Sequence, residues 1–72
     1  MKLTGTVSLR DLEGGVWVLE GDDGRTYELV GGDRKLRTKG SRIEVEGEID
    51  SGAASFAMVG PVLRVKKYRP RS

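Results

Sequence analysis

A chain of 72 residues with no cysteine and no histidine has few chemical options. It cannot form a disulfide, a thiolate zinc site or a histidine-based catalytic pair, and its length suits one small domain. The net charge is +2, and neither a run of 18 apolar residues nor a hydrophobic leader after Met1 is present. We therefore predict a cytoplasmic protein without a secretory signal or a membrane-spanning segment.

The first predicted strand covers residues 3–9, where apolar or small residues alternate with hydroxylic ones. A period of two places successive side chains on opposite faces, which is typical of an antiparallel strand with one buried face. Gly5 inside this strand indicates a bulge or a sharp bend. Residues 10–15 form the predicted turn, in which Gly14-Gly15 can adopt positive φ.

A β-hairpin is predicted next. Residues 16–20 and 25–30 are rich in β-branched and aromatic residues, and the Asp-Gly pair between them is a strong hairpin signal. Their pairing places Trp17 and Tyr27 on one face, beside two leucines. We expect both aromatic rings to face the core; the alternative, in which they form an exposed platform that stacks nucleic-acid bases, stays open.

Residues 31–40 are the one segment between strands whose pattern does not predict β structure. Gly31-Gly32-Asp33 can cap a short helical turn over residues 34–36. Leu36 is the only obvious core residue of this segment, and the chain turns again at Gly40. A short helical or irregular connection is therefore predicted between the third and the fourth strand.

The clearest periodicity of the chain lies in residues 42–50, the predicted fourth strand. Apolar or small residues alternate there with charged ones without interruption. This pattern predicts one buried face and one face in contact with water. The residues expected to be buried are Ile43, Val45 and Ile49, and those expected to be exposed are Glu44, Glu46 and Glu48.

The remaining residues predict a loop and a last strand. Residues 51–55 are small and polar, and residues 56–59 predict a short extended piece. Pro61 cannot donate a hydrogen bond to a ladder, so the last strand is placed after it, over residues 62–68.

Alternation in this last strand divides its side chains between two faces. Leu63 and Val65 are expected on one face, and Val62, Arg64, Lys66 and Tyr68 on the other. Residues 1–68 are thus predicted to form a single barrel domain, followed by a mobile basic tail over residues 69–72.

Five strands with a helical or irregular segment after the third follow the layout of the OB-fold, a small Greek-key barrel, and closure into a barrel would leave no free sheet edge. We accordingly predict an all-β, five-stranded OB-like Greek-key barrel. The sequence resembles small bacterial OB-fold proteins of unassigned function in the runs Gly5 to Val7, Gly15 to Leu19, Asp23 to Leu29, Gly40 to Gly47, Ala54 to Gly60 and Leu63 to Val65. It is also similar, more weakly, to bacterial translation initiation factor one in length, early Gly-Thr-Val, central Asp-Gly and basic end. The first resemblance implies the fold and leaves the activity unassigned.

No arrangement of residues predicts catalysis or a bound metal. The serines lie in no known nucleophile motif, and the acids of the fourth strand have the spacing of a solvated face. The acids of the hairpin turn do not follow the spacing of an EF-hand loop, and residues 31–33 lack the Gly-Lys-Ser/Thr end of a phosphate loop. We therefore predict a protein that is not an enzyme and that uses no metal or cofactor.

The strongest functional signal is the basic C-terminal end. Residues 61–72 contain five basic residues and no acid, whereas residues 1–60 contain 8 basic and 11 acidic residues. A row of basic side chains with an aromatic residue is typical of surfaces that bind nucleic acid. The sequence thus predicts a binding module that holds single-stranded nucleic acid weakly through Arg64, Lys66, Lys67, Tyr68, Arg69 and Arg71.

Two alternatives to this prediction stay open. The basic end can be the intramolecular complement of the acidic fourth strand. The protein can also be a protein–protein interaction or structural module with no nucleic-acid role, in which opposite charges could pair between copies. The sequence does not predict the oligomeric state.

Overall fold

The computed structural model describes residues 1–11, 14–32, 34–50 and 60–71. Five β-strands and a short 3₁₀ turn lie in these ranges, which confirms the predicted number and order of the elements. They are β1 Lys2–Arg10, β2 Val16–Gly21, β3 Thr26–Gly31, the 3₁₀ turn Arg34–Leu36, β4 Arg42–Ile49 and β5 Val62–Arg71. The predicted extended piece over residues 56–59 lies outside the described residues. In the part of the chain that is described, no helix is long and apolar enough to cross a membrane.

The five strands form one sheet, which closes into a barrel in the order β1-β2-β3-β5-β4. Four of the five ladders are antiparallel, and the ladder between β3 and β5 is parallel. Each strand is therefore paired on both sides. For a chain of this size, closure hides the backbone groups that an open sheet would present at its edges.

One cluster of apolar side chains fills the interior. Tyr27 is only 3% exposed, as predicted, whereas Trp17 packs against the cluster and stays partly exposed. Val18 and Val62 are buried as well, each next in sequence to a residue of the cluster. The cluster consists of Val7, Leu19, Tyr27, Leu29, Leu36, Ile43, Val45, Leu63 and Val65.

The alternation of β4 predicts its inner face correctly except at the end of the strand. Ile43 and Val45 are buried, but Ile49 is 37% exposed. The ladder between β1 and β4 ends at the pair of Lys2 with Glu46, so Ile49 lies beyond the first residue of β1. With a neighbouring strand on one side only, its side chain is not covered.

A β-bulge in the ladder between β4 and β5 overturns the predicted face of Tyr68, whereas Leu63 and Val65 are buried in the core as predicted. Glu46 pairs with Lys67, but the next residue, Gly47, pairs with Val65, so Lys66 is the extra residue. An inserted residue reverses the alternation beyond it. Tyr68 consequently pairs with Val45 and packs against the core, away from the face on which it was expected.

Gly47 lies at this bulge because a larger residue does not fit. A Cβ atom at this position would collide with the backbone carbonyl of Arg64. The backbone of Gly47 also pairs with Met1: its N–H donates to the Met1 carbonyl (3.0 Å), and its carbonyl accepts from the N-terminal ammonium (2.8 Å). The glycine thus permits the close approach of β4 and β5 at the bulge.

β5 continues beyond the predicted end of the domain. Arg69, Pro70 and Arg71 pair with Glu44, Ile43 and Arg42. The expectation of a mobile tail that begins at residue 69 is therefore corrected. The prediction ended too early because apolar and polar residues do not alternate here and because a proline is unusual inside a strand. Pro70 is nevertheless tolerated, since a proline fits in a ladder where its missing N–H needs no partner.

The segment between β3 and β4 is anchored to the barrel. Gly31 and Gly32 adopt positive φ (84° and 78°), which turns the chain away from β3. Leu36, at the end of the 3₁₀ turn, has no exposed surface and confirms its predicted role in the core. The N–H of Gly40 then donates to the Val7 carbonyl (2.8 Å), which attaches the end of the segment to β1.

Candidate nucleic-acid interface

The structure places each predicted basic residue of β5 beside a carboxylate of β4 or of the residue that follows it. We call this double row of opposite charges the charge ladder. The antiparallel register produces it, because outward residues of two paired antiparallel strands lie opposite each other. The pairs, with their N–O distances, are Arg64–Asp50 (2.6 Å), Lys66–Glu48 (3.1 Å), Lys67–Glu46 (3.2 Å), Arg69–Glu44 (2.7 Å) and Arg71–Glu44 (4.0 Å).

The basic side chains of the charge ladder are all well exposed, whereas the exposure of the acidic ones varies. Exposure of the basic side chains is 50–76%, and that of the acidic ones ranges from 19% for Glu44 to 68% for Glu48. Exposed ion pairs of this kind contribute only about 0–1 kcal/mol each. The charge ladder therefore contributes little to the stability of the fold. Its basic groups are accessible to solvent, but each already lies beside a negative charge.

The charges near the middle of the ladder influence one another. A hydrogen bond from the Lys67 ammonium is the main cause that lowers the pKa of the Glu46 carboxyl, and the nearby Lys2 and the N-terminus act in the same direction. Glu46 therefore stays ionised over a wider pH range than an isolated glutamate. An anionic ligand at this position would meet an ionised carboxylate at neutral pH.

Two aspartates, Asp22 and Asp23, fix the hairpin between β2 and β3 through polar contacts. Arg42 forms a two-point ion pair with Asp22, at 2.7 and 2.8 Å, and this lowers the pKa of the aspartate. The backbone N–H of Arg25 (3.0 Å) and the Tyr27 hydroxyl (2.7 Å) both donate to Asp23, and both contacts lower its pKa. The polar atom of buried Tyr27 is thereby satisfied, which explains how an aromatic residue with a hydroxyl can serve in this core.

A shallow depression crosses the charge ladder where β1, β4 and β5 meet. Its mixed lining offers no uniform potential to a charged ligand, and Tyr68 is its only aromatic residue. The lining residues are Lys2, Glu44, Glu46, Lys67, Tyr68 and Arg69. The structure thus brings most of the predicted residues together, but in the company of their counter-charges, and it separates Tyr68 from the face of Arg64.

A second basic cluster was missed in the sequence. Arg34, Lys35, Arg37 and Lys39 are all exposed and lie on the anchored segment between β3 and β4. Among the described residues, no ion pair is found for Arg34, Arg37 or Lys39. The signal was available, because residues 34–39 contain four basic residues and no acid. We call residues 34–39 the basic segment.

The described residues contain no group of three or more acidic side chains placed to hold a metal ion. In the same ranges, every buried side-chain nitrogen or oxygen atom has a hydrogen-bond partner. No buried polar group is therefore left over whose partner would have to be a ligand.

Comparison with known proteins assigns the chain to a family. No curated protein and no solved structure matches it. Residues 4–70, which include all five strands apart from the first two residues of β1 and the last of β5, match the family described as "Protein of unknown function (DUF5818)". This match covers nearly the whole chain, and the protein belongs to that family.

Proposed function

We propose that this protein is a non-enzymatic, OB-like binding module for single-stranded nucleic acid, which it holds weakly and without sequence preference. The ligand is recognised through its phosphate charge. This kind of recognition needs exposed cations on a rigid support and no catalytic group.

The strand arrangement supports the OB-like part of the proposal. The order β1-β2-β3-β5-β4, a single parallel pair between β3 and β5, and a short turn between β3 and β4 are the features expected of a five-stranded OB-like Greek-key barrel. Folds of this type commonly bind oligonucleotides, which is an argument by analogy.

The distribution of charge is the observation that supports nucleic acid as the ligand. All 13 basic residues of the chain are exposed, whereas the acids Glu28, Glu44, Glu46 and Asp50 are partly buried. Cations therefore reach further into solvent than a net charge of +2 suggests. A phosphate backbone would meet basic groups first.

The charge ladder favours a second candidate function. Each β5 cation already has a carboxylate partner, which leaves less free charge for phosphate than the sequence predicts. A protein–protein interaction or structural module would need no free cations. We keep this as the alternative, which the same experiment separates from the first.

The test is a binding titration with a short fluorescent single strand, followed by anisotropy at several salt concentrations. We expect saturable binding at low salt and a linear fall of log affinity with log salt. A mixed-sequence strand and a homopyrimidine strand of equal length should bind within a few-fold of each other.

Absence of binding at low salt would refute the proposed ligand, because screening of surface charges is weakest there. The alternative would then stand, and it predicts co-purification of a partner protein or self-association by analytical ultracentrifugation. Affinity that does not depend on salt would also contradict recognition through phosphate charge.

A further inference from the structure

We infer that the nucleic acid docks on the basic segment at the turn between β3 and β4, through Arg34, Arg37 and Lys39, and not along β5. This inference rests on the proposed function and adds the surface that performs it. It rests on three properties of the two basic surfaces: the counter-charges beside them, the support beneath them, and the way in which their side chains are arranged.

The first property is the presence or absence of a counter-charge. A phosphate that approaches β5 meets a carboxylate 2.6–4.0 Å from each cation. The attraction and the repulsion then largely cancel, and each cation must give up its partner before it can bind. The segment's Arg34, Arg37 and Lys39 have no ion pair among the described residues, and the Arg37 guanidinium donates to the Gly31 carbonyl, at 3.5 Å. With the neighbouring Asp33 included, residues 33–39 still carry a charge of +3.

The second property is the rigid support. Leu36 is completely buried in the barrel interior, so the segment cannot swing away from it. The Thr38 hydroxyl donates to the Lys35 carbonyl (3.1 Å), and the Ser41 hydroxyl donates to the Thr38 carbonyl (2.8 Å). Because the backbone is already held, binding does not have to order it, and less of the binding energy is lost to entropy.

The third property is the direction of the side chains. The N–H of Arg37 donates to the Arg34 carbonyl (3.0 Å), which is the hydrogen bond of a 3₁₀ turn. Side chains three residues apart in such a turn lie on the same side. Arg34 and Arg37 therefore extend together, while Leu36 between them points into the barrel. Two guanidinium groups on one side can engage neighbouring phosphates of one strand.

An aromatic side chain lies on the same end of the barrel. The backbone of Gly40 and Ser41 is bonded to Val7 of β1, and two residues further along β1 Leu9 pairs with Trp17. Trp17 is partly exposed. A single-stranded nucleic acid that runs from the basic segment toward β1 would pass close to the ring of Trp17. Surfaces that bind single strands combine basic groups with an aromatic ring in this way.

The experiment compares two triple variants of the full chain that remove the same amount of charge. Arg34→Gln, Arg37→Gln and Lys39→Gln neutralise the basic segment, and Lys66→Gln, Lys67→Gln and Arg69→Gln neutralise β5. Both change the net charge from +2 to −1, so a general effect of charge would be equal in the two. Affinity for the fluorescent single strand is measured over a salt series, and circular dichroism with urea titration confirms that each variant is folded.

We expect the variant of the basic segment to lose about tenfold or more in affinity and to reduce the salt slope by about 2, since each phosphate contact on a single strand contributes about 0.7. The β5 variant should change the salt slope by less than about 0.7, the contribution of one phosphate contact. If the β5 variant lost as much or more, or if the variant of the basic segment bound as the wild type does, the location would be wrong and the proposed function would stand. Absence of binding by the wild type would refute the proposed function and the inference with it.

A measurement on the wild type guards against a variant that does not fold. In a two-dimensional ¹⁵N–¹H NMR titration with the same single strand, the amide signals of residues 34–40 should shift most. Shifts concentrated in residues 64–71 would overturn the inference. The charge-conserving pair Arg34→Lys and Arg37→Lys should retain most of the salt slope, which separates the effect of charge from that of shape.

Discussion

Among the described residues of the segment between β3 and β4, Leu36 is the one whose side chain is buried in the interior, and its truncation tests that attachment. It has no exposed surface and belongs to the core cluster. A Leu→Ala substitution in a core of this kind costs about 2–5 kcal/mol, because transfer energy is lost and a cavity remains. The backbone of the segment is hydrogen-bonded at both ends, so it cannot easily collapse into the space. We therefore expect a value in the upper half of that range.

This cost is large relative to the whole stability. A domain of 72 residues is expected to be stable by about 4–11 kcal/mol. With a urea m-value of about 1 kcal/mol/M, a loss in the upper half of that range should lower the unfolding midpoint by about 3.5 M or more. Equilibrium unfolding in urea, followed by the fluorescence of Trp17, measures the change directly, because this is the one tryptophan of the chain.

Leu9→Ala is the matched control for this prediction. Leu9 is the same type of residue, but it is 37% exposed at the end of β1. Its truncation should cost about 1 kcal/mol, since no closed cavity results and part of the side chain is already in water. If Leu36→Ala were destabilised no more than Leu9→Ala, Leu36 would not anchor the segment. Should Leu36→Ala be unfolded without urea, Leu36→Met, which keeps most of the volume, should be folded and lose less than about 1.5 kcal/mol.

Three further predictions follow from the same geometry. In β4, Val45→Ala should lower the free energy of unfolding by about 1–3 kcal/mol, and Glu46→Ala should change it by no more than about 0.5 kcal/mol, both measured by urea unfolding. Similar values for the two variants would contradict the assignment of Val45 to the inner face of β4 and of Glu46 to the outer face. Gly47→Ala should cost about 1–3 kcal/mol by the same measurement, because its new methyl group collides with the carbonyl of Arg64, and an unchanged midpoint would show that the bulge relaxes freely. Stability should fall as the pH drops below about 4.5: the folded-state pKa values of Glu46 and Asp23 lie below their ordinary values of 4.5 and 3.8, so their contribution is present above those values and is lost as the folded groups are protonated. Glu46→Gln combined with Asp23→Asn should flatten this part of the pH profile, and a profile identical to that of the wild type would contradict the assignment.

The fold was predictable from the sequence where a strand has paired neighbours along its whole length. In β4, alternation identifies Ile43 and Val45 as buried, because β1 and β5 flank that part of the strand. At Ile49 the same alternation continues, but the neighbour on the β1 side has ended. Periodicity reports which residues share a face, and it does not report how far the adjacent strands extend.

The face of Tyr68 was not predictable in the same way. One extra residue, Lys66, reverses the alternation, and nothing in residues 62–68 marks the insertion. The signal lies on the other strand, where Gly47 occupies a position that has no room for a side chain. A glycine inside a charged, alternating strand is a general indication of a bulge, but it does not say which neighbour carries the extra residue.

The charge ladder follows from a rule that applies to basic strands in any antiparallel sheet. When the outer face of one strand is acidic and that of its neighbour is basic, every register that pairs the two brings opposite charges together, whatever their distance in sequence. Glu44 and Arg69 are 25 residues apart, and the Nε–H of Arg69 still donates to the Glu44 carboxylate at 2.8 Å. A run of basic residues on a strand is therefore available to a ligand only if the adjacent strand places no acidic residues opposite it.

The basic segment escapes this rule because it is not a strand. A 3₁₀ turn satisfies its backbone internally and has no ladder partner, so no register can place a row of carboxylates opposite Arg34 and Arg37. Leu36 supplies the attachment that a ladder would otherwise give. In a closed barrel whose strands are all paired, the connections between strands are the parts of the chain in which charge can remain uncompensated and still be held in a fixed position. For this reason the 3₁₀ turn, and not one of the five strands, is where we expect an anionic nucleic acid to dock.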